Sequence, residues 1–158
     1  MAETLGSLCD KLTIVKLKQY HSTDSIKLNS LQQQAKSLVD EIDLYITDAL
    51  SGEIPIGKLV FESNKIYKAE GNEMRDINGD FGEVFNKLAE VNCELWHEQE
   101  KVYEFHLVPE KEKNQVINRL AVLNLERNRC IDTLNSTLSD IITSMTRSQK
   151  QKLEKTIL

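Results

Sequence analysis

Proline and glycine are scarce in this chain, two and six of 158 residues. That scarcity excludes the turn-rich composition of β-sandwiches and barrels, while the plentiful Leu, Lys, Glu, Ile and Gln are those of a helix former. Positive charge is also short. The formal net charge is −5 and the isoelectric point lies near 5.3, so no surface for nucleic-acid phosphates is expected. The one basic run, Arg147, Lys150, Lys152 and Lys155, is interrupted by Glu154 and reads as a solvated helix end. No apolar stretch approaches the length of a membrane span and no leader-like segment opens the chain, so a cytoplasmic protein without membrane contact is expected. Cys9, Cys93 and Cys130 are odd in number and lack Cys-x-x-Cys spacing, which argues against a disulfide framework or a zinc site. They read as packing residues with reduced thiols.

The length fits one domain, residues 1–158. Helical spacing predicts four long helices, at about 4–20, 24–50, 81–106 and 109–145, following the periodicity and capping rules. The first has Thr4 as N-cap and Leu5, Leu8, Leu12 and Val15 on one face. The second keeps a three-four spacing through Leu28, Leu31, Ala35, Leu38, Ile42, Tyr45 and Ala49, a seam suited to coiled-coil-like packing. Residues 51–80 form a Gly-rich connection, with a short helix predicted around Lys58 to Lys68. The third helix opens on an Asp80/Glu83 capping box and carries Val84, Leu88, Val91, Leu95, Val102 and Phe105, with Phe85, Asn92, Trp96 and Tyr103 alongside. Pro109, Glu110 and Glu112 start the fourth, whose stripe is read as Ile117, Leu120, Ile131, Leu134, Leu138, Ile141 and Met145. Beyond it, residues 146–158 are expected to be a fraying or partner-dependent end. The fold class is all-α: an antiparallel four-helix bundle of two hairpins joined by the connection.

Ionisable and amide side chains interrupt these apolar faces. Lys16, Glu98 and Arg127 occupy stripe positions, with Asp10, Asn92 and Asn124 nearby. Buried charges of this kind must be paired. Two roles are open for them: a structural network that fixes helix register, or a polar pocket with Trp96 as a stacking wall that takes an anionic or carbohydrate-like ligand. No metal or cofactor is expected. Glu94 and His97 make one Glu-x-x-His motif where di-iron bundles need two and further glutamates. The acids Asp40, Glu41 and Asp43 cluster on the second helix, but the only comparable pair, Glu70 and Glu73, brackets a glycine in the connection. No nucleophile arrangement or phosphate loop is present, which leaves catalysis undecided.

The segments LCDKLTIVKLK, VNCELWHEQEKVYEF and LAVLNLERNRCID resemble an uncharacterised bacterial family of helical proteins, classed as a domain of unknown function. The resemblance rests on Asp10 and Lys11, on Asn92 with Leu95 and Trp96, on Glu98 and Glu100, and on Asn124, Arg127, Asn128 and Asp132. Where that family often shows Glu-Asp, this chain has Glu98-Gln99-Glu100, so no role requiring adjacent acids carries over. The resemblance implies a bacterial cytoplasmic protein, sometimes associated with surface-polysaccharide genes, and brings no established activity. The first expectation is therefore a non-enzymatic interaction or assembly module that forms a homo-oligomer or binds a protein partner through its helical faces. The alternative is a ligand-binding protein or enzyme centred on Glu98 and Arg127.

Overall fold

Local chemistry at the helix ends sets the element order. In the computed structural model, which describes residues 3–61 and 74–157, Thr4 and Ser7 cap each other. The Ser7 amide donates to Thr4 Oγ1 at 3.3 Å and the Thr4 amide donates to Ser7 Oγ at 3.1 Å, opening α1 (Leu5–His21) by a reciprocal cap. Asp24 accepts from the Ile26 and Lys27 amides and starts α2 (Ser25–Ser51), which ends at Gly52 with φ of 85°, a conformation glycine adopts without strain. A single 3₁₀ turn spans Ile56–Lys58. The Asp80 amide donates to the Glu83 carboxylate at 2.9 Å as α3 (Phe81–Tyr103) begins, and a second 3₁₀ turn, Phe105–Leu107, leads into α4 (Glu110–Ile157). The protein is all-α, and no strand occurs among the described residues.

Helix α1 sits at the centre, packed on α2, α3 and α4, while α3 lies along α4. The core is built from Leu5 and Cys9 of α1, Val84 and Leu88 of α3, and Cys130, Leu134, Leu138 and Ile142 of α4, closed at one end by Ala49 and Leu59. Leu59 is fully buried, whereas Phe61 is exposed. The rest of the short helix predicted there, and Glu70 and Glu73, lie outside the described residues. Along α2 the predicted seam is the inner face, yet only Ala35 and Ala49 are fully buried, so this helix is the most loosely covered.

Two expectations about α4 are corrected. Its buried line is Val116, Leu123, Glu126, Cys130, Leu134, Leu138 and Ile142, whereas Ile117, Ile141 and Met145 of the predicted stripe are about half exposed. The helix also continues unbroken from Glu110 to Ile157 instead of stopping near Met145, a length of about 72 Å at the helical rise.

Helices α1 and α4 come close at Gly6. A Cβ placed there would collide with the Ile131 carbonyl oxygen and meet Asn135 Oδ1 at 3.0 Å, so α1 and α4 approach through bare backbone. Asn135, itself buried, uses that proximity: its Oδ1 accepts from the Gly6 amide at 2.7 Å, and its Nδ2 donates to Thr4 Oγ1 at 3.1 Å. One α4 side chain thus satisfies a donor that the first turn of α1 leaves open. Gly6→Ala is expected to lower stability by about 1–3 kcal/mol through overpacking, although alanine is the better helix former. An unchanged urea midpoint would show that the two helices separate freely.

Candidate functional site: a groove between α1, α3 and α4

The interrupted stripes meet in one place. Asp10 of α1 and Asn92 of α3, each 4% exposed, join Arg127 of α4 in a single network. Arg127 Nε donates to Asp10 Oδ1 at 2.8 Å and Nη2 to Asp10 Oδ2 at 2.5 Å, a side-on bidentate pair of the strong charge-assisted type. Asn92 Nδ2 donates to the same Asp10 Oδ1 at 2.9 Å and to Thr13 Oγ1 at 2.7 Å. The Thr13 hydroxyl proton is directed to the Asp10 carbonyl at 2.8 Å, which leaves its oxygen free to accept. Hydrogen bonding to Asp10 raises the Arg127 pKa against the opposing effect of burial, so the guanidinium stays charged.

Two members of this network, Asn92 and Arg127, form the floor of a groove of about 470 Å³. Ile14 and Leu17 of α1 form one wall, Leu95, Trp96 and Tyr103 of α3 another, and Gln99, Glu100 and Asn124 stand at the mouth. Its volume is in the range of small-molecule sites. Trp96 is held on both sides: its ring stacks on His21 at 4.8 Å with a 9° interplanar angle, and its Nε1 donates to Glu100 Oε1 at 3.0 Å. Glu100 also lies 3.5 Å from His97 Nδ1.

The orientation of the Asn92 amide follows from its neighbours. An ionised carboxylate only accepts, so the NH₂ group must face Asp10 and the carbonyl oxygen must face away. Among the described residues, the one polar side-chain atom sealed from solvent without a partner is the Tyr45 hydroxyl. Asn92 Oδ1 accepts from none of the described residues, and Asn92 is among the residues that line the groove. Arg127 Nη1 likewise donates to none of the described residues, its Nε and Nη2 being spent on Asp10.

Of the residues singled out from the sequence, Asp10, Asn92, Trp96, Asn124 and Arg127 come together here, and Lys16 and Glu98 do not. Lys16 is exposed, its stem along a separate apolar groove with Leu12, Leu17, Tyr20, Phe85 and Ala89 and its ammonium in water, as long cationic side chains do. Glu98 pairs with Lys101 at 2.8 Å and lines a recess at the α3–α4 turn beside Gln115 and Arg119. The antiparallel register puts it opposite the start of α4, so Arg127 takes Asp10 instead. Asn124 is exposed and donates to its own Leu120 carbonyl at 3.0 Å.

A second polar network is absent from the sequence reading. Glu126, 0% exposed, accepts from the Arg75 backbone amide at 2.9 Å and from Arg75 Nε at 3.0 Å and Nη2 at 2.5 Å. Arg75 Nη1 also donates to Glu94 at 2.8 Å, and Glu94 accepts from Arg119 as well. Glu94 is thus engaged by two arginines and not by His97. The signal for Glu126 is an acid at the three-four spacing of Leu123, Cys130 and Leu134. Burial raises the thiol pKa of Cys9 and of Cys130 to about 11, so both are packing residues; no disulfide links the three cysteines. Among the described residues, no three His, Cys, Asp or Glu side chains gather to hold a metal ion, and no helix is long and apolar enough to cross a membrane.

Compared with protein-family models, with curated proteins and with solved structures, the chain matches none.

Proposed function

We propose that this is a cytoplasmic small-molecule-binding protein whose site is the groove between α1, α3 and α4. The frame of this reading is an antiparallel four-helix bundle in which the α1–α2 and α3–α4 hairpins enclose the polar floor. The observation that carries it is Asn92: a nearly buried amide, fixed by Asp10 and Thr13, that lines the groove and whose carbonyl oxygen accepts from none of the described residues. An open acceptor in such a place is a binding feature, since a purely structural amide would have its carbonyl bonded within the protein. Free thiols at Cys9, Cys93 and Cys130 support a reducing compartment. The resemblance to the bacterial helical family supports the same location, because Asn92, Leu95, Trp96, Glu100, Asn124 and Arg127 of its motifs all line the groove. A screen of small fragments by protein-observed NMR tests the proposal. Shifts confined to Leu17, Asn92, Leu95 and Trp96 are expected; a screen whose hits all map elsewhere would remove it.

A second reading, assembly with another copy, is favoured by α4. Every described side chain from Ser144 to Thr156 is exposed, and residues 146–158 carry four basic side chains against Glu154. The remainder of the chain is correspondingly more acidic than the whole. A basic helix end on an acidic body is self-complementary between copies. Light scattering that gives a dimer for the full chain and a monomer after truncation at Met145 would favour this reading.

A further inference from the structure

Helix α4 outruns the core. Leu5 from the start of α1, Val84 from the start of α3 and Ala49 from the end of α2 meet Leu138 and Ile142 of α4, so α4 leaves the core at the end where α2 stops. From the buried Ile142 to Ile157 it runs on for about 22 Å at the helical rise. A helix this short gains little without a surface to pack on. One face of the segment is ordered by spacing: Ile141, Met145, Ser148, Lys152 and Lys155 recur at alternating steps of four and three, which puts them in line. Glu154 falls on the other side of the helix. Ile141 and Met145 are about half exposed, and Ser148, Lys152 and Lys155 are exposed.

Helix α2 carries the complement. Its inner face follows Ala35, Ile42, Tyr45 and Ala49. On the outer face the helical period sets Asp40, Asp43 and Thr47, all exposed, between Val39 and Leu50 on one side and Leu44 on the other. Those three apolar side chains are about half exposed, so uncovered apolar surface flanks uncovered acids. Among the described residues, none of Asp40, Asp43, Lys152 and Lys155 takes part in an ion pair.

Laid antiparallel, the two faces match position by position. With Met145 opposite Leu50, Ser148 falls opposite Thr47, Lys152 opposite Asp43 and Lys155 opposite Asp40: an apolar pair, a hydroxyl pair and two ion pairs in succession. Residues 39–50 and 145–156 also span equal lengths, about 16 Å each. Within one chain this pairing is out of reach, because α2 and α4 leave the core at the same end and so run the same way. Resting on the assembly reading, we infer that the end of α4 docks in this register on the outer face of α2 of a second copy, and that a two-fold axis repeats the contact. Covering Val39, Leu44, Leu50 and Met145 supplies the attraction. The charges select the register, since exposed ion pairs contribute little each but mismatches are rejected. A slip of one turn in either direction sets Lys155 opposite Lys36 or Leu44 and Lys152 opposite Val39 or Thr47, and both acids lose their partners.

Sedimentation velocity of the full chain over a concentration series at low salt tests this with charge reversals. A dimer is expected, with its dissociation constant raised at least tenfold in Asp40→Lys/Asp43→Lys and at least tenfold in Lys152→Glu/Lys155→Glu. Far-UV circular dichroism should not change, because all four side chains are exposed. Mixing the two variants should restore the dimer, since each of its two contacts again joins opposite charges, and the chain carrying all four substitutions should dimerise by itself. Variants that each weaken the dimer but do not restore it when mixed overturn the register. A dimer that truncation at Met145 abolishes, but that reversal on α2 leaves untouched, overturns the α2 docking face while keeping assembly through α4. A full chain that stays monomeric at every concentration removes the assembly reading itself, and retention of duplex DNA by such a monomer would assign its basic end to a polyanion.

Discussion

Arg75→Met is expected to lower stability by about 1–3 kcal/mol, the cost of leaving a buried acceptor short of its partners, because Glu126 is buried while the Arg75 side chain is 37% exposed. Glu126 is 0% exposed, and Arg75 supplies two guanidinium donors and its backbone amide. In the variant only the backbone amide remains, and a carboxylate without adequate partners in the core is strongly disfavoured. The double variant Arg75→Met/Glu126→Leu should recover most of the loss, because two apolar side chains can replace a buried pair at little cost. Urea midpoints for the four proteins measure this, and a double variant as unstable as the two single losses summed would show that the pair is not a unit. The same pair sets an acid limit. Burial pushes the Glu126 pKa up, but the Arg75 hydrogen bonds and charge pull it below its ordinary 4.5. A carboxyl lowered in the folded state contributes stability that is fully present above the unfolded value and lost as pH falls through the folded one. The wild-type midpoint should therefore stay level from about pH 7 to 5 and fall below about 4.5, the ordinary value for an unfolded glutamate. Glu3, lowered by Lys11 and Ser7, shares that direction, but its pair lies at the surface and contributes little. The double variant should show the shallower fall, and an identical slope would assign the acid loss to other groups.

Why Glu126 is hidden in the sequence and the α2 seam is plain has a physical reason. On α2 a single apolar line runs through Leu28, Leu31, Ala35, Leu38, Ile42, Tyr45 and Ala49, and the inner face follows it. On α4 two lines compete, sharing Leu134 and Leu138. The true one contains an acid, whereas the false one contains Ile117, Ile141 and Met145, which the fold leaves half exposed. Counting apolar residues therefore favours the wrong line, and the partner that makes Glu126 tolerable lies 51 positions away in a connection without periodicity. Asp10, Asn92 and Arg127 are legible one by one, since each breaks a face on its own helix. Their pairing is not, because it depends on the rotation of α1 and on the register of α3 against α4. That register carries Glu98 to the α4 start and gives Arg127 to Asp10. Lys16 shows the limit from the other side: a stripe position on a helix wheel becomes solvent wherever neighbouring helices diverge.

Asp10 and Arg127 decide whether the groove floor is structural, functional or both. Asp10→Leu leaves the Arg127 guanidinium with no described acceptor and takes from Asn92 one of its two. Arg127→Met leaves a nearly buried carboxylate with Asn92 as its one remaining side-chain donor. Each change should cost about 3 kcal/mol, and the pair substituted together should cost much less than the sum. A regained urea midpoint in the double variant would establish that the network's contribution to folding is replaceable by apolar packing. Binding should not return with stability. Without the Asp10 carboxylate only Thr13 Oγ1 still holds the Asn92 NH₂ group toward α1, and the Arg127 guanidinium is gone; affinity measured through Trp96 should fall at least tenfold even where the fold is intact. A double variant that is both stable and fully competent to bind would reduce Asp10 and Arg127 to a fastening between helices. One that is stable and silent would show that the charges are kept between α1 and α4 to hold Asn92 in place for a ligand.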